Sequence, residues 1–101
     1  MLSQLRIYDI KPGLMDEWLV LFHDKVVPMH AKYDIPARVA YVDRERSQFV
    51  WVRTFAGTGS VEEQERRYYA TPERAEVIGD EPKRFIERME VRLVEQVFPS
   101  E

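Results

Sequence analysis

The sequence predicts one α+β domain whose elements follow the order β-α-β-β-α-β and whose four strands form an antiparallel sheet. Two observations support this. Four segments alternate in polarity or are rich in β-branched and aromatic residues, as strands are, and two other segments carry helix signals. The length of 101 residues corresponds to about one domain, so we predict a single domain over residues 1–101.

The first strand and the first helix occupy the first third of the chain. Residues 4–10 alternate in polarity, which predicts a strand, and a Lys11-Pro12-Gly13 turn follows. A helix is expected from near Leu14, and Pro28 inside it predicts a kink, because proline lacks the N–H that would bond to the preceding turn. One apolar stripe at helical spacing should face the sheet: Met15, Trp18, Leu19, Phe22, Val26, Met29 and Tyr33.

The remaining strands and the second helical region follow. Residues 37–42 and 48–55 are predicted as strands joined by a charged hairpin turn at residues 43–47. Ser60 with Glu63 forms a capping-box pattern that starts a second helix. Thr71-Pro72, Gly79 and Asp80 are start and stop signals, so this region should be broken into pieces. Residues 88–97 alternate and predict the last strand.

This order is the split βαβ unit of ferredoxin-like folds. We expect the first and third strands to be central, parallel neighbours, with Arg6 and Arg53 side by side.

The two faces of this sheet differ in chemistry. The aliphatic set Leu5, Ile7, Val50, Val52, Val91 and Leu93 suits the face that the helices cover. The opposite face then carries Arg6, Tyr8, Phe49, Trp51, Arg53, Phe55, Glu90 and Arg92. Such a ring-rich face is costly to expose, so we expect a second copy of the chain to cover it and close a dimeric α/β barrel.

A barrel interior of this composition resembles a small-molecule pocket. The predicted ligand-binding residues are Arg6, Tyr8, Trp51, Arg53, Glu90 and Arg92, with Glu90 as the charge partner of Arg92, Arg6 or Arg53. A small, partly aromatic or acidic molecule would fit them. The alternative is a filled dimer core, since arginine and aromatic residues are also common at interfaces.

Catalytic candidates are few. Tyr8 could donate a hydrogen bond or act as a general acid, and His23 or His30 could act as a base. The two histidines are seven residues apart on the first helix, which separates their Cα atoms by roughly 10.5 Å and disfavours a shared metal. The charged run at residues 62–67 is expected to be the solvated side of the second helix.

Composition excludes several classes of function. The 15 basic residues do not outnumber the 18 acidic ones, so a nucleic-acid surface is not expected. The absence of cysteine excludes a disulfide framework, a thiolate metal site and a cysteine nucleophile. No cofactor and no membrane partner are predicted, and a cytoplasmic location is expected.

Several segments together resemble the NIPSNAP family: residues 4–8 (QLRIY), Lys11-Pro12-Gly13, a first helix with Pro28, residues 48–51 (QFVW), residues 63–66 (EQER) and residues 90–93 (EVRL). The resemblance implies the dimeric α/β barrel that this family shares with small monooxygenase-like proteins, and it transfers no catalytic set. Three hypotheses follow: a homodimer that binds a small molecule, a cofactor-free monooxygenase- or isomerase-like enzyme, and a structural or interaction module.

Overall fold

The four strands form one antiparallel sheet in the order β2-β3-β1-β4. The computed structural model describes residues 1–99, and the last two residues of the predicted domain lie outside this range. The strands are β1 (Leu2–Ile10), β2 (Ala37–Asp43), β3 (Gln48–Thr54) and β4 (Ile86–Glu95). The predicted α+β, ferredoxin-like fold with a four-stranded antiparallel sheet is confirmed.

The central strands β1 and β3 run antiparallel, so the expectation of a parallel pair was wrong. The helical crossover makes β1 and β2 parallel, and the β2-β3 hairpin then reverses the chain. Gln4 lies opposite Arg53, and Arg6 lies opposite Trp51. The two arginines are therefore diagonal neighbours on one face of the sheet.

The first helical region, where Pro28 predicts a kink, contains a π-helical turn directly before the helix that carries Pro28. It consists of α1 (Met15–Leu21), a π-helical turn (Phe22–Val26) and α2 (Val27–Lys32). Proline stands in the first turn of α2, where its missing N–H is least costly. Met29 and His30, three and four residues after the buried Val26, are the buried residues of α2.

The second helical region is broken, as expected, into α3 (Val61–Ala70), α4 (Pro72–Val77) and a 3₁₀ turn (Glu81–Arg84). The Ser60 hydroxyl accepts a hydrogen bond from the Glu63 N–H at 3.1 Å, which confirms the cap. The Thr71 hydroxyl caps α4 by accepting from the Arg74 N–H. No helix within residues 1–99 combines the length and the apolar character that crossing a membrane requires.

The helices cover the aromatic and arginine face of β1 and β3, so the predicted assignment of the two faces was wrong for these central strands. Trp51 is 2% exposed and Arg53 is 1% exposed. Phe22 from the π-helical turn contacts the Phe49 and Trp51 rings with centroids 4.7 and 5.1 Å apart. The helical stripe is itself aromatic at Trp18 and Phe22, and ring-on-ring packing adds about 0.5–1.5 kcal/mol per pair beyond area burial.

The opposite face of the sheet is uncovered within residues 1–99, and we call it the open face. The paired residues Leu5 and Val52, and Ile7 and Val50, form its half-buried centre. Tyr41 on β2 pairs with Val50 and is 66% exposed.

On the edge strand β4 the residues lie on the two faces of the sheet as predicted. Glu90 and Arg92 lie opposite Ile7 and Leu5 on the open face, whereas Val91 and Leu93 lie opposite Arg6 and Gln4 on the helix side.

Candidate functional site

A cavity of about 530 Å³ lies between the helix side of the sheet and the helices, and we call it the helix-side cavity. Strands β1 and β3 contribute Arg6, Tyr8, Trp51 and Arg53 to its wall. The helices contribute His30, Tyr68, Tyr69 and Arg74, and the rim includes Asp80, Lys83 and Met89. A water molecule occupies about 30 Å³ of liquid volume, so this space exceeds that of a few waters.

Arg6 is a buried cation whose hydrogen-bond partners are all neutral. It donates from Nε to the Tyr8 hydroxyl oxygen at 2.8 Å, from Nη1 to Gln4 Oε1 at 2.8 Å and from Nη2 to Met89 Sδ at 3.3 Å. Its side chain forms no ion pair with any described carboxylate, although the residue is only 7% exposed. Burial lowers the pKa of Arg6, but Tyr8, Tyr69 and the more distant Glu65 charge together outweigh burial, so the pKa is raised and the group stays charged.

Arg53, by contrast, is fully neutralised. Its Nη2 donates to Glu65 Oε2 at 2.8 Å, and its Nε donates to Gln4 Oε1 at 2.9 Å. Its Nη1 donates to His30 Nε2 at 2.9 Å and to the Tyr69 hydroxyl oxygen at 3.1 Å. Four of the five N–H donors of Arg53 thus have an acceptor, and Glu65 supplies the opposite charge, so its burial does not require a negatively charged ligand.

His30 is neutral and has one tautomer. Because arginine only donates, Nε2 must accept from Arg53, and Nδ1 carries the proton that it donates to the Val26 carbonyl oxygen at 2.8 Å. Burial and the neighbouring Arg53 charge lower the pKa of His30 to about 3. Its acceptor lone pair is therefore occupied, and this geometry disfavours His30 as a general base.

The helical wall of the cavity carries further donors. The Tyr68 hydroxyl oxygen lies 3.2 Å from His30 Nδ1, and burial raises the pKa of Tyr68 to about 12, so it keeps its proton. The Arg74 guanidinium carbon lies 4.7 Å from the centre of the Tyr69 ring. The buried Nε of Arg74 and the indole N–H groups of Trp18 and Trp51 find no acceptor within residues 1–99.

The structure brings together four of the six predicted ligand-binding residues. Arg6, Tyr8, Trp51 and Arg53 share the helix-side cavity, not the face expected to line a barrel. Glu90 and Arg92 lie on the open face, where they form an ion pair with each other. The sheet separates that pair from Arg6 and Arg53, so the expectation that Glu90 neutralises either of these arginines was wrong.

The two predicted histidines do not meet. The His23 side chain is 87% exposed and contacts only Asp24 among the described polar side chains, which places it outside the cavity. His30 is buried in the cavity wall. Within residues 1–99 no group of three or more histidine or acidic side chains has an arrangement that could hold a metal ion.

Sequence reasoning missed the helical half of the cavity. The run at residues 62–67 was expected to be solvated, yet Gln64 is buried and Glu65 reaches Arg53. One signal was present: Gln64 and Glu65 stand four residues before Tyr68 and Tyr69, and residues four apart share a helix face. This polar and aromatic stripe marks the side of α3 that faces the sheet.

Comparison with known proteins identifies relatives of this chain. The NIPSNAP family model matches residues 3–99. A comparison with curated proteins finds no match.

Solved structures share the fold at low sequence identity. An uncharacterised NIPSNAP domain protein from Burkholderia xenovorans superimposes with a TM-score of 0.82 at 19% identity, covering 100% of both chains. A NIPSNAP family protein of unknown function from Agrobacterium tumefaciens gives 0.80 at 16% identity over 95% of this chain and 87% of that one. An antibiotic biosynthesis monooxygenase gives 0.66 at 18% identity over 96% of this chain and 99% of that one.

Proposed function

Since this chain belongs to the NIPSNAP family, whose similar solved members include proteins described as uncharacterised or of unknown function, we propose a function from its own cavity: the protein binds a small organic acid with an aromatic or apolar body. The acid occupies the helix-side cavity, and Arg6 binds its carboxylate.

The observation that supports this proposal is the missing counter-ion of Arg6. Burying a charge costs effectively several kcal/mol, and a nearby charge of opposite sign offsets this cost. Arg53, on the same face, has Glu65 as its partner, whereas within residues 1–99 Arg6 donates hydrogen bonds to a phenol, an amide and a thioether and to no carboxylate. A ligand carboxylate would supply the missing negative charge through charge-assisted hydrogen bonds.

The walls favour a ring on the ligand. The Tyr8 and Trp51 rings lie 5.6 and 5.9 Å from the Arg6 guanidinium carbon, and Trp18 lines the same space. Aromatic walls with a few polar groups are typical of small-molecule sites. An aromatic carboxylic acid satisfies both the charge and the walls.

Calorimetric titration with 3-ethylbenzoate and its neutral amide tests this proposal. We expect the acid to bind and the amide to bind about 10- to 150-fold more weakly, since a hydrogen bond to a charged group contributes about 1.5–3 kcal/mol. Arg6→Met should remove the preference for the acid. Arg44→Met is the matched control, because Arg44 is exposed and pairs with Asp16 outside this cavity.

Two results would contradict the proposal: equal binding of acid and amide, or full acid binding by Arg6→Met. Loss of binding in Arg92→Met alone would instead place the ligand on the open face, where the barrel interior was expected.

The open face is proposed to pair with the same face of a second copy, giving a homodimer. Its aliphatic centre of Leu5, Ile7, Val50 and Val52 is continuous across the β1-β3 register, and Tyr41 extends it onto β2. Apolar patches of this kind on soluble domains mark interaction sites, and a two-fold axis makes one patch cover its copy.

Sedimentation equilibrium tests the homodimer. The wild-type protein should be a dimer at micromolar concentration, and Tyr41→Lys should dissociate it, because Tyr41 is 66% exposed in one chain and its change spares the core. Val20→Lys, at 61% exposure on α1, is the matched control that keeps the dimer. A wild-type monomer, or equal behaviour of the two variants, would refute this interface.

A second candidate function is proton transfer by Tyr8. The Tyr8 oxygen accepts from the Arg6 cation at 2.8 Å, so its own proton is free for a ligand, and Arg6 would stabilise negative charge developing on that oxygen. The similar fold of an antibiotic biosynthesis monooxygenase is compatible with such chemistry. Phenylpyruvate is the probe, because a carboxylate on Arg6 puts the adjacent keto oxygen beside Tyr8, which would protonate it while water removes a methylene proton. Deuterium exchange into the methylene group above the protein-free rate, followed by NMR, would report enolisation. We expect Tyr8→Phe to abolish it without unfolding the protein, and exchange that persists would exclude this role.

A further inference from the structure

Tyr68 offers the helix-side cavity a hydrogen-bond donor that the described chain does not use. The residue is 1% exposed, stands on α3 and lines the cavity from the helical side. Its hydroxyl oxygen lies 3.2 Å from His30 Nδ1 and also accepts a hydrogen bond from the Arg74 side chain. The direction of the contact with His30 decides whether the hydroxyl proton has an acceptor.

Arg53 fixes that direction. Its guanidinium donates to His30 Nε2 at 2.9 Å, so the neutral imidazole carries its proton on Nδ1. Nδ1 donates this proton to the Val26 carbonyl oxygen at 2.8 Å, and toward Tyr68 it can only donate further. The Tyr68 hydroxyl therefore cannot donate its proton to His30, and this proton has no acceptor within residues 1–99.

Arg74 repeats this pattern beside Tyr68. Its guanidinium carbon lies 5.6 Å from the centre of the Tyr68 ring and 4.7 Å from that of Tyr69. Its Nε is buried without an acceptor in the described chain. A buried unpaired donor is destabilising, so two of them on one cavity wall indicate an acceptor that comes from outside the chain.

The two sides of the cavity therefore differ in what they can bind. On the sheet side, Arg6 of β1 lacks a negative partner and the Trp51 N–H lacks an acceptor, whereas on the helical side the Tyr68 proton and the Arg74 Nε lack an acceptor among the described residues. A ligand with a carboxylate alone satisfies the first side and leaves the second unpaired.

From this arrangement we propose that the ligand is a bifunctional organic acid: Arg6 binds its carboxylate, and Tyr68 and Arg74 donate to a second oxygen acceptor, a carbonyl or carboxylate, at its other end. This inference rests on the proposed acid-binding function and adds the second group. Sites built to hydrogen-bond a ligand oxygen reject analogues that lack it, because the protein donors are then left buried and unpaired.

The experiment compares acids of equal size with and without the second acceptor. Calorimetry at neutral pH measures the Kd of 3- and 4-acetylbenzoate against 3- and 4-ethylbenzoate. At least one acetyl isomer should bind the wild-type protein about tenfold more tightly than its ethyl counterpart, which corresponds to one hydrogen bond.

Two variants locate the source of this preference. Tyr68→Phe removes the hydroxyl and keeps the ring, so the acetyl and ethyl acids should bind within about twofold of each other. Arg74→Met removes the guanidinium donors and should reduce the preference in the same direction. Tyr33→Phe is the matched control and should keep it, because the Tyr33 hydroxyl donates to Glu73 outside this cavity.

The outcomes separate the two proposals. Arg6-dependent binding of all four acids without an acetyl preference would overturn the second acceptor, with water as the partner of Tyr68, and would leave the proposed function standing. Binding that does not depend on Arg6 would overturn both. An acetyl preference that survives in Tyr68→Phe and in Arg74→Met would also refute the inference.

Discussion

The two buried arginines are expected to respond differently to the same substitution. Arg6→Met removes two charge-assisted hydrogen bonds to oxygen, of about 1.5–3 kcal/mol each, and a weaker one to the Met89 sulfur, but also removes a buried cation whose desolvation costs several kcal/mol. These terms nearly cancel, so the free energy of unfolding should change by no more than about 1 kcal/mol.

Arg53→Met instead breaks an ion pair and leaves Glu65 without its cation. Loss of one partner of a buried pair costs about 3–5 kcal/mol, and we expect the lower end, because the Glu65 side chain is 29% exposed. The two variants should therefore differ by about 2 kcal/mol.

Urea unfolding at equal protein concentration measures this difference. With a slope of about 1–2 kcal/mol per molar urea for a domain of this size, the midpoints of the two variants should lie about 1–2 M apart. Equal destabilisation by both substitutions would refute the argument that Arg6 lacks a counter-ion which a ligand supplies.

Two further predictions concern His30 and Ser60. In the native state the pKa of His30 is lowered to about 3 from 6.5, so between these values the unfolded chain binds the extra proton and stability falls as the pH decreases from 6.5. The slope contributed should approach about 1.4 kcal/mol per pH unit. Urea unfolding at several pH values measures this contribution. His30→Gln should remove it, whereas His23→Gln, at an exposed position, should keep it. An equal pH dependence of the unfolding free energy in both variants would contradict the assignment. Ser60→Ala should lower the free energy of unfolding by about 1 kcal/mol through loss of the α3 cap, and Ser60→Asp should retain most of the capping stabilisation. Equal unfolding free energies of the two variants would argue against the cap.

The order of elements was predictable because each strand and helix carries a local signal. The alternation at residues 4–10 corresponds to β1, and the Ser60 capping pattern corresponds to the observed cap of α3. The same alternation predicts that Arg6, Tyr8, Trp51 and Arg53 share one face of the sheet, and all four line the helix-side cavity.

Alternation alone does not state which face meets the helices. Both faces of β1 and β3 are apolar enough to be buried, and the choice is made by Trp18 and Phe22, whose rings pack on Phe49 and Trp51. The prediction placed the aliphatic face of the sheet against the helices and did not consider that the helical stripe is itself aromatic.

The helical half of the site depends on tertiary placement. Tyr68 and Arg74 stand on separate short helices, α3 and α4, and reach the cavity because a Thr71 cap joins them. His30 stands four residues after the buried Val26, a spacing that is compatible with its inward position, but its partner Arg53 lies on β3 and is not indicated by local sequence. The charged run at residues 62–67 concealed Glu65, whose partner Arg53 lies on a different element, β3.

A crystal structure with bound 4-bromobenzoate tests the acid site most directly, because anomalous scattering from bromine locates the ligand without ambiguity. We predict bromine between the sheet and the helices, with both carboxylate oxygens within hydrogen-bonding distance of the Arg6 guanidinium. Bromine on the open face beside Glu90 and Arg92, or a carboxylate that avoids Arg6, would contradict the proposed site.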